Sequence, residues 1–369
     1  MRLTLPLLCV LLCSAPARSA HAEQLRAPDD DPVLRALDAE LAALRDFLGP
    51  GPATALDASD HTRAHPAYHL AVQAVELQRV RIVGEEGGLQ GWAPQRGRWV
   101  HVDVRVGTPE LDSTHPLRDG SYDDSSSGRT LPVGDDVSLL RRTVRQEAEA
   151  RYRAAVDRYQ RVLSDRQVLV AEEEGLDLAP ATPATLLQDL PPALDSDWST
   201  WEETIRAVSA VFADEDVALD PSVSLSLDRE IRWFVSTDGH RSRVVDTRAR
   251  ISVGADARAP DGTELYEDWS ADAASLDSLP DRATMIEQAR AVQARLRLLR
   301  DAPEEPPYRG PAILSGRAAA VFFHEILGHR VEGHRLKQVA DAQTFRGKIG
   351  EEVLPSFLSV IDDPTKAAY

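Results

Sequence analysis

Two histidines and a glutamate in the last fifth of the sequence are the residues best suited to chemistry. In the run from His324 to His329 the histidines are five positions apart, and Glu325 directly follows the first of them. Zinc takes neutral imidazole nitrogens as ligands, and a neighbouring carboxylate can accept a proton from water. The sequence therefore favours His324 and His329 as metal ligands and Glu325 as a general base. The alternative is a pair of core histidines that hydrogen-bond to carbonyl groups.

The five-residue spacing places a requirement on the helix that carries these residues. Residues 316–329 are rich in alanine and apolar side chains, and they predict a buried helix. A regular helix turns about 100° per residue, so it would hold His324 and His329 about 140° apart. We therefore predict a π-bulge or kink at Gly328, because a backbone distortion costs least at glycine.

Residues that follow the metal run offer weaker candidates. His334 is a possible further ligand, but it follows a glycine and is expected beyond the helix end. Glu332 is expected to support a ligand or cap the helix rather than bind metal itself. Asp362 and Asp363 form a carboxylate pair, but Pro364 follows them, which is typical of a turn.

Four helices are predicted upstream of the metal run. The first two have their apolar residues on one side, which is the pattern of an amphipathic helix, and prolines end the last one. The four helices cover residues 33–48, 137–163, 198–212 and 282–299. In the third of these, Trp198 and Trp201 are expected to be core anchors rather than platforms for a ligand.

Alternating patterns predict an antiparallel sheet in the same part of the chain. The clearest strand is 98–106, where four valines alternate with polar residues. Residues 67–83 tend to the same period, and 217–269 predict three strands joined by tight turns. A short apolar run at 312–314 predicts a further strand before the metal helix. The predicted fold class is α+β.

The charge balance restricts the partners. The chain has 42 Lys and Arg against 60 Asp and Glu, a formal net charge of −18 at pH 7. Such a surface repels phosphate backbones and anionic lipid headgroups, so no nucleic-acid partner is expected. After the first residues no apolar run approaches the roughly 20 residues of a membrane-spanning helix, so no integral membrane segment is expected.

The first residues have the pattern of a secretory signal. Arg2 precedes an apolar stretch, and small residues at 20 and 22 predict a signal peptide over 1–22 with cleavage after Ala22. The protein is therefore expected to be exported, to the periplasm or the extracellular space. The two cysteines, Cys9 and Cys13, lie inside this segment, and each follows a leucine where a lipoprotein signal has a small residue. The processed chain is expected to have no cysteine and no disulfide.

Residues 309–363 resemble the TldD/PmbA family of zinc metallopeptidases. The resemblance rests on the metal run and its flanks: Arg309-Gly310-Pro311, the segment 330–335, the segment 347–350 and the segment 359–364. Weaker similarity reaches back to 261–264, to Val104-Arg105-Val106-Gly107 and to Leu111-Asp112. The implied organisation is an α/β N-terminal domain with an antiparallel sheet and long helices over 23–300. The beginning of a β-rich metallopeptidase domain, carrying the metal helix, follows over 301–369.

The resemblance also implies an activity and a site. His324 and His329 match the family's zinc ligands, and Glu325 matches its catalytic glutamate. Peptides or unfolded segments would be cleaved in a cavity enclosed by two subunits, as a homodimer or with a homologous partner. The family's third zinc ligand is a cysteine far downstream, which is expected beyond residue 369. Two other functions stay open: a non-catalytic subunit that binds peptides or its partner, and a periplasmic metal-binding protein.

Overall fold

The computed structural model gives the conformation of most of the chain. It describes residues 31–49, 65–117, 128–167, 176–191, 194, 197–213, 217–333, 344–345 and 347–363. The predicted signal peptide over 1–22 and His334 lie outside the described residues, so these two features stay predictions. In the part of the chain that is described, no helix is both long and apolar enough to cross a bilayer.

A sheet of nine strands dominates the described residues. The strands are β1 (Ala67–Glu85), β2 (Gly88–Leu89), β3 (Gln95–Thr108), β4 (Leu111–Asp112), β5 (Arg129–Thr130), β6 (Thr185–Leu187), β7 (Leu219–Ser236), β8 (Arg241–Arg258) and β9 (Glu264–Ala273). Their order is β4-β3-β1-β7-β8-β6, with β2 paired to β1, β5 to β3 and β9 to β8. The long strands all pair antiparallel, as predicted, and only the short β6 runs parallel to its neighbour.

The predicted meander over 217–269 is confirmed as β7, β8 and β9. β7 pairs with β8 and β8 pairs with β9, both antiparallel. The connecting turns contain Gly239 and Gly262, with φ of 87° and 93°. Glycine suits both positions because a side chain disfavours positive φ. The two Asp-Gly pairs in the sequence therefore mark the turns correctly.

Five helices accompany the sheet in the described part of the chain. They are α1 (Pro32–Leu48), α2 (Val137–Arg166), α3 (Ser199–Ser209), α4 (Arg282–Arg300) and α5 (Gly316–Ile326). The first four confirm the predicted helices, and α5 carries part of the metal run. A 3-10 turn, Ala210–Phe212, extends α3. Helices beside a largely antiparallel sheet confirm the α+β class.

The predicted strand at 312–314 is wrong. These residues form no ladder, and the Ile313 side chain is 98% exposed. An apolar run becomes a strand only where a neighbour supplies backbone partners, and none of the described residues does so here. Beyond Arg300 the described residues contain α5 and a short 3-10 helix but no strand. The β-rich character expected of 301–369 and the boundary after residue 300 stay predictions.

The helices α1 to α4 cover one face of the sheet. Buried side chains of β1 from Val72 to Ile82 occupy even-numbered positions, which lie on one face of a strand. α1 and α2 pack over the end of the sheet that contains Val72, and α3 and α4 pack over the end that contains Ile82. Trp198 is buried in this second core and Trp201 packs against it, so both tryptophans are core anchors as predicted.

The opposite face of the sheet is polar. The alternate positions of the long strands are partly or fully exposed, and they include Gln73, Arg81, Ser224, Arg250 and Ser252. The described sheet and helices therefore form two layers, with a wet face on the side away from α1 to α4.

A buried ion pair interrupts the apolar face of β1. Glu76 and Arg98 have side chains only 1% and 2% exposed, and Arg98 Nε donates to Glu76 Oε2 over 2.8 Å. Arg96 makes two further hydrogen bonds to the same carboxylate, and the Arg98 guanidinium lies 5.6 Å from the ring centre of Trp233. Each charge is thus neutralised inside the core. Sequence reasoning did not single out this pair.

A tight corner forms where β3 turns into β4, at the residues of the weaker upstream resemblance. Gly107 has φ of 119°, and Asp112 is fully buried. The Asp112 carboxylate accepts hydrogen bonds from the Tyr68 hydroxyl (2.7 Å), Arg105 Nη1 (3.2 Å) and the Thr114 backbone N–H (2.6 Å). The Val104–Gly107 and Leu111-Asp112 segments are therefore structural, because they fix this corner.

Replacing Gly107 with alanine is expected to lower the free energy of unfolding by about 2–3 kcal/mol. A Cβ at this position would lie 2.4 Å from the Leu111 carbonyl oxygen and 2.7 Å from the Tyr159 ring, at a φ that alanine rarely adopts. Urea denaturation followed by circular dichroism measures the change. Gly134→Ala is the matched control, since its Cβ would meet no atom within 4 Å. Equal stability of the two variants would contradict the assignment.

Candidate metal centre

An ion pair connects the first turn of helix α5 to strand β9 at the edge of the sheet. Arg317 Nη1 lies 2.9 Å from Asp268 Oδ2, and Nη2 lies 3.3 Å from Oδ1. Asp268 belongs to β9 and alternates with the core-facing Trp269, so its side chain is on the wet face of the sheet. This two-point ion pair orients the beginning of α5 against that face. Nothing in the sequence marks Arg317 for this contact.

The prediction that the metal helix is buried is wrong for the described structure. None of the residues of α5 is buried, and Val321, Phe322 and Ile326 each expose more than a third of their surface. The apolar composition of a helix predicts a layer that covers it. No such layer is present among the described residues, so the apolar side chains face outward.

The predicted distortion near Gly328 is confirmed as a break in the helix. α5 ends at Ile326, and Leu327 has φ of −122° and ψ of −53°, outside helical values. Residues Gly328–Arg330 then form a 3-10 turn, in which the Arg330 N–H donates to the Leu327 carbonyl over 2.9 Å. The distortion is therefore a break with a tighter turn after it rather than a π-bulge.

This break brings the two histidines together. The ring centres of His324 and His329 are 4.5 Å apart, with the rings inclined at 71°. One candidate ligand atom from each of His324, Glu325 and His329 lies within 4.8 Å of the others. The predicted site residues thus meet in one place despite a spacing that a regular helix would not tolerate.

The three side chains are open to solvent and hold few bonds to one another. His324 and Glu325 are each 62% exposed and His329 is 43% exposed. His324 Nε2 lies 4.0 Å from Glu325 Oε1, which is beyond hydrogen-bond distance. The Glu325 carboxylate is therefore accessible from solvent to a water molecule or a metal.

One ring nitrogen of His329 already has a partner. Its Nδ1 lies 2.9 Å from Glu332 Oε1, which leaves Nε2 as the nitrogen available to a metal. Two imidazoles and a carboxylate at this separation form a donor set that suits zinc and related divalent ions. The residues present therefore fit a metal ion, which His324 and His329 would hold.

Comparison with known proteins supports a family assignment for this segment. Residues 307–369 match the family described as the PmbA/TldA metallopeptidase C-terminal domain. This match covers α5, the break and both histidines. No curated protein matches the chain.

Several solved structures show partial similarity. A candidate modulator of a DNA gyrase from Thermotoga maritima aligns with 12% identity and a TM-score of 0.38, covering 64% of this chain and 46% of that one. TldE from Thermococcus kodakarensis aligns with 7% identity and a TM-score of 0.36, covering 63% and 44%. A candidate modulator of DNA gyrase from Bacteroides thetaiotaomicron aligns with 12% identity and a TM-score of 0.36, covering 69% and 49%.

The alignments with these structures thus span less than half of their length. The family of the matched segment is one of metallopeptidases, which implies a metal, and a cluster of two histidines and a glutamate lies within that segment. The similarity to the PmbA/TldA metallopeptidase family thus lies in residues 307–369, the segment that carries the two histidines and the glutamate.

Proposed function

We propose that this chain carries two ligands and the general base of a zinc-dependent peptidase that cleaves peptides or unfolded protein segments. The observation that carries the proposal is the meeting of His324, Glu325 and His329 across the helix break, with ligand atoms within 4.8 Å. The metallopeptidase family of residues 307–369 supports the same reaction class.

The geometry supports a role for each of the three residues. Zinc, when bound, polarises a peptide carbonyl and lowers the pKa of water. His324 and His329 would hold it, and the Glu325 carboxylate would accept a proton from water and return it to the leaving amine. A catalytic zinc normally has three protein ligands and one open position.

We further propose that the protein is exported and acts as a dimer. Export is supported by the signal pattern over 1–22. Pairing with an identical or homologous subunit follows from the family resemblance, as does cleavage in an enclosed cavity. The strong negative charge supports a peptide substrate over nucleic acid, because it repels phosphate backbones.

The test is metal analysis and peptide hydrolysis of the full-length protein before and after chelation. We expect one zinc per subunit, loss of hydrolysis when a chelator removes it, and recovery when zinc is returned. Unfolded casein and a set of short fluorogenic peptides serve as substrates. Undiminished hydrolysis by the metal-free protein would overturn the proposal.

A non-catalytic role is the second candidate. The described part of the site contains two imidazoles, whereas a catalytic zinc usually has three protein ligands. This difference favours a role without catalysis. Metal analysis of the 369-residue chain separates the alternatives. Absence of zinc favours a peptide-binding or partner subunit, and tightly held zinc without hydrolysis in the full-length protein favours a periplasmic metal-binding protein.

A further inference from the structure

The Glu332 carboxylate lies against the Nδ1 side of the His329 ring. The distance from Glu332 Oε1 to His329 Nδ1 is 2.9 Å, within the range of a charge-assisted hydrogen bond. The two residues are three positions apart, and both side chains are partly exposed, at 43% for His329 and 35% for Glu332.

The turn that follows the helix break creates this contact. His329 lies in the 3-10 turn Gly328–Arg330, and Glu332 follows two residues after the end of this turn. The Arg330 and Val331 N–H groups both donate to the Leu327 carbonyl, over 2.9 and 3.1 Å, and keep the chain in this tight path. In a continuous α-helix the ring of His329 would lie on a different side from His324. The break therefore allows the His329 ring to lie next to His324 and to contact Glu332 as well.

The chemistry of imidazole gives this contact a consequence. A neutral imidazole carries its proton on one nitrogen and a lone pair on the other. A carboxylate that accepts from Nδ1–H keeps the proton there and leaves the lone pair on Nε2. It also restricts rotation of the ring, so the ligating nitrogen is already oriented before a metal binds.

We propose that Glu332 is a positioning residue that holds His329 in the Nδ1–H tautomer and aims its Nε2 at the metal. Glu332 does not ligate the metal, because its oxygen is engaged on the far side of the ring. This inference deepens the proposed zinc site and rests on it for the metal. The hold on the ring itself is a property of the metal-free protein and can be tested separately.

The first experiment determines the tautomer of His329 without metal. Nitrogen-15 NMR of histidine-labelled full-length protein at about pH 8, where imidazole is neutral, distinguishes the two tautomers, and the His329→Gln variant identifies the signal. We expect the Nδ1–H form in the wild type and in Glu332→Gln, whose amide oxygen can still accept a hydrogen bond. Glu332→Ala is expected to lose this preference. The same tautomer in all three proteins would overturn the proposal.

The second experiment measures zinc affinity by competition with a chelator. We expect Glu332→Ala to bind zinc 10- to 100-fold more weakly, roughly the effect of removing such an orienting partner, and Glu332→Gln to stay within a few-fold of wild type. Glu351→Ala, an exposed glutamate in the same segment, is the matched control and should not change affinity. Unaltered affinity in Glu332→Ala overturns the positioning role. A wild type without zinc but with the expected tautomers overturns the proposed function and leaves the hold of Glu332 on the ring intact.

Discussion

Replacing Glu325 with glutamine is expected to lower kcat/KM for peptide hydrolysis by roughly 10²- to 10⁴-fold and to leave the zinc content unchanged. Glutamine keeps the size of the side chain but has no carboxylate to accept a proton from water. Because the Glu325 side chain is 62% exposed, the substitution should leave the fold intact, and circular dichroism checks this. Hydrolysis and zinc content are measured on the same preparation of full-length protein.

The histidines supply the matched comparison for this variant. His324→Ala and His329→Ala should each lose zinc and hydrolysis together, because each removes a proposed ligand. Retained cleavage by Glu325→Gln would contradict the role of Glu325 as general base. Loss of both zinc and cleavage in that variant would instead make Glu325 a ligand.

The second large effect is on stability. Replacing Glu76 with alanine is expected to lower the free energy of unfolding by about 3–5 kcal/mol, because it leaves the buried charge of Arg98 without its carboxylate. Urea denaturation at neutral pH measures the change. Glu264→Ala is the control, since its ion pair with Arg258 is exposed on both sides and should contribute little. Equal destabilisation by the two variants would contradict this account of the core.

The same residue predicts a pH dependence. Burial alone would raise the pKa of the Glu76 carboxyl, but Arg96 and its neighbours outweigh burial and hold that pKa below its ordinary value. A carboxyl with a lowered pKa in the folded protein stabilises it above the unfolded pKa, and this contribution is lost as pH falls through the folded pKa. Glu76→Gln should therefore lose less stability than the wild type as the pH falls below about 5, where an unfolded glutamate begins to bind a proton. The free energy of unfolding of both proteins is measured at a series of pH values. The same slope against pH for the wild type and Glu76→Gln would contradict this prediction.

The sequence was most informative where one periodic pattern determined a whole element. The alternating valines of 98–106 lie in β3, whose even-numbered positions are all buried from Arg98 to Val106. The Asp-Gly pairs predicted the turns of the meander because positive φ strongly favours glycine. The five-residue histidine spacing likewise required a distortion, and the break after Ile326 supplies it.

The remaining features depend on contacts that a local pattern does not contain. The apolar side chains of α5 and Ile313 indicate burial, yet burial depends on which other element covers them. β6 pairs with β8 through a parallel contact between distant residues that no turn signal announces. Glu76 did have a signal: it occupies an even-numbered position in β1, on the face that the core covers. An acidic residue at such a position indicates that a basic side chain is buried beside it, although the sequence does not identify which arginine supplies that side chain.

The break after Ile326 also has a thermodynamic consequence. His324 belongs to the last turn of α5, and His329 belongs to the separate 3-10 turn. A metal held by both histidines would therefore link these two hydrogen-bonded units. Such a ligand favours only those conformers in which both turns are formed, and its binding free energy adds to their local stability. Metal affinity and the ordering of this short segment are then linked equilibria. The supply of metal would then affect how firmly the segment holds Glu325, the proposed general base.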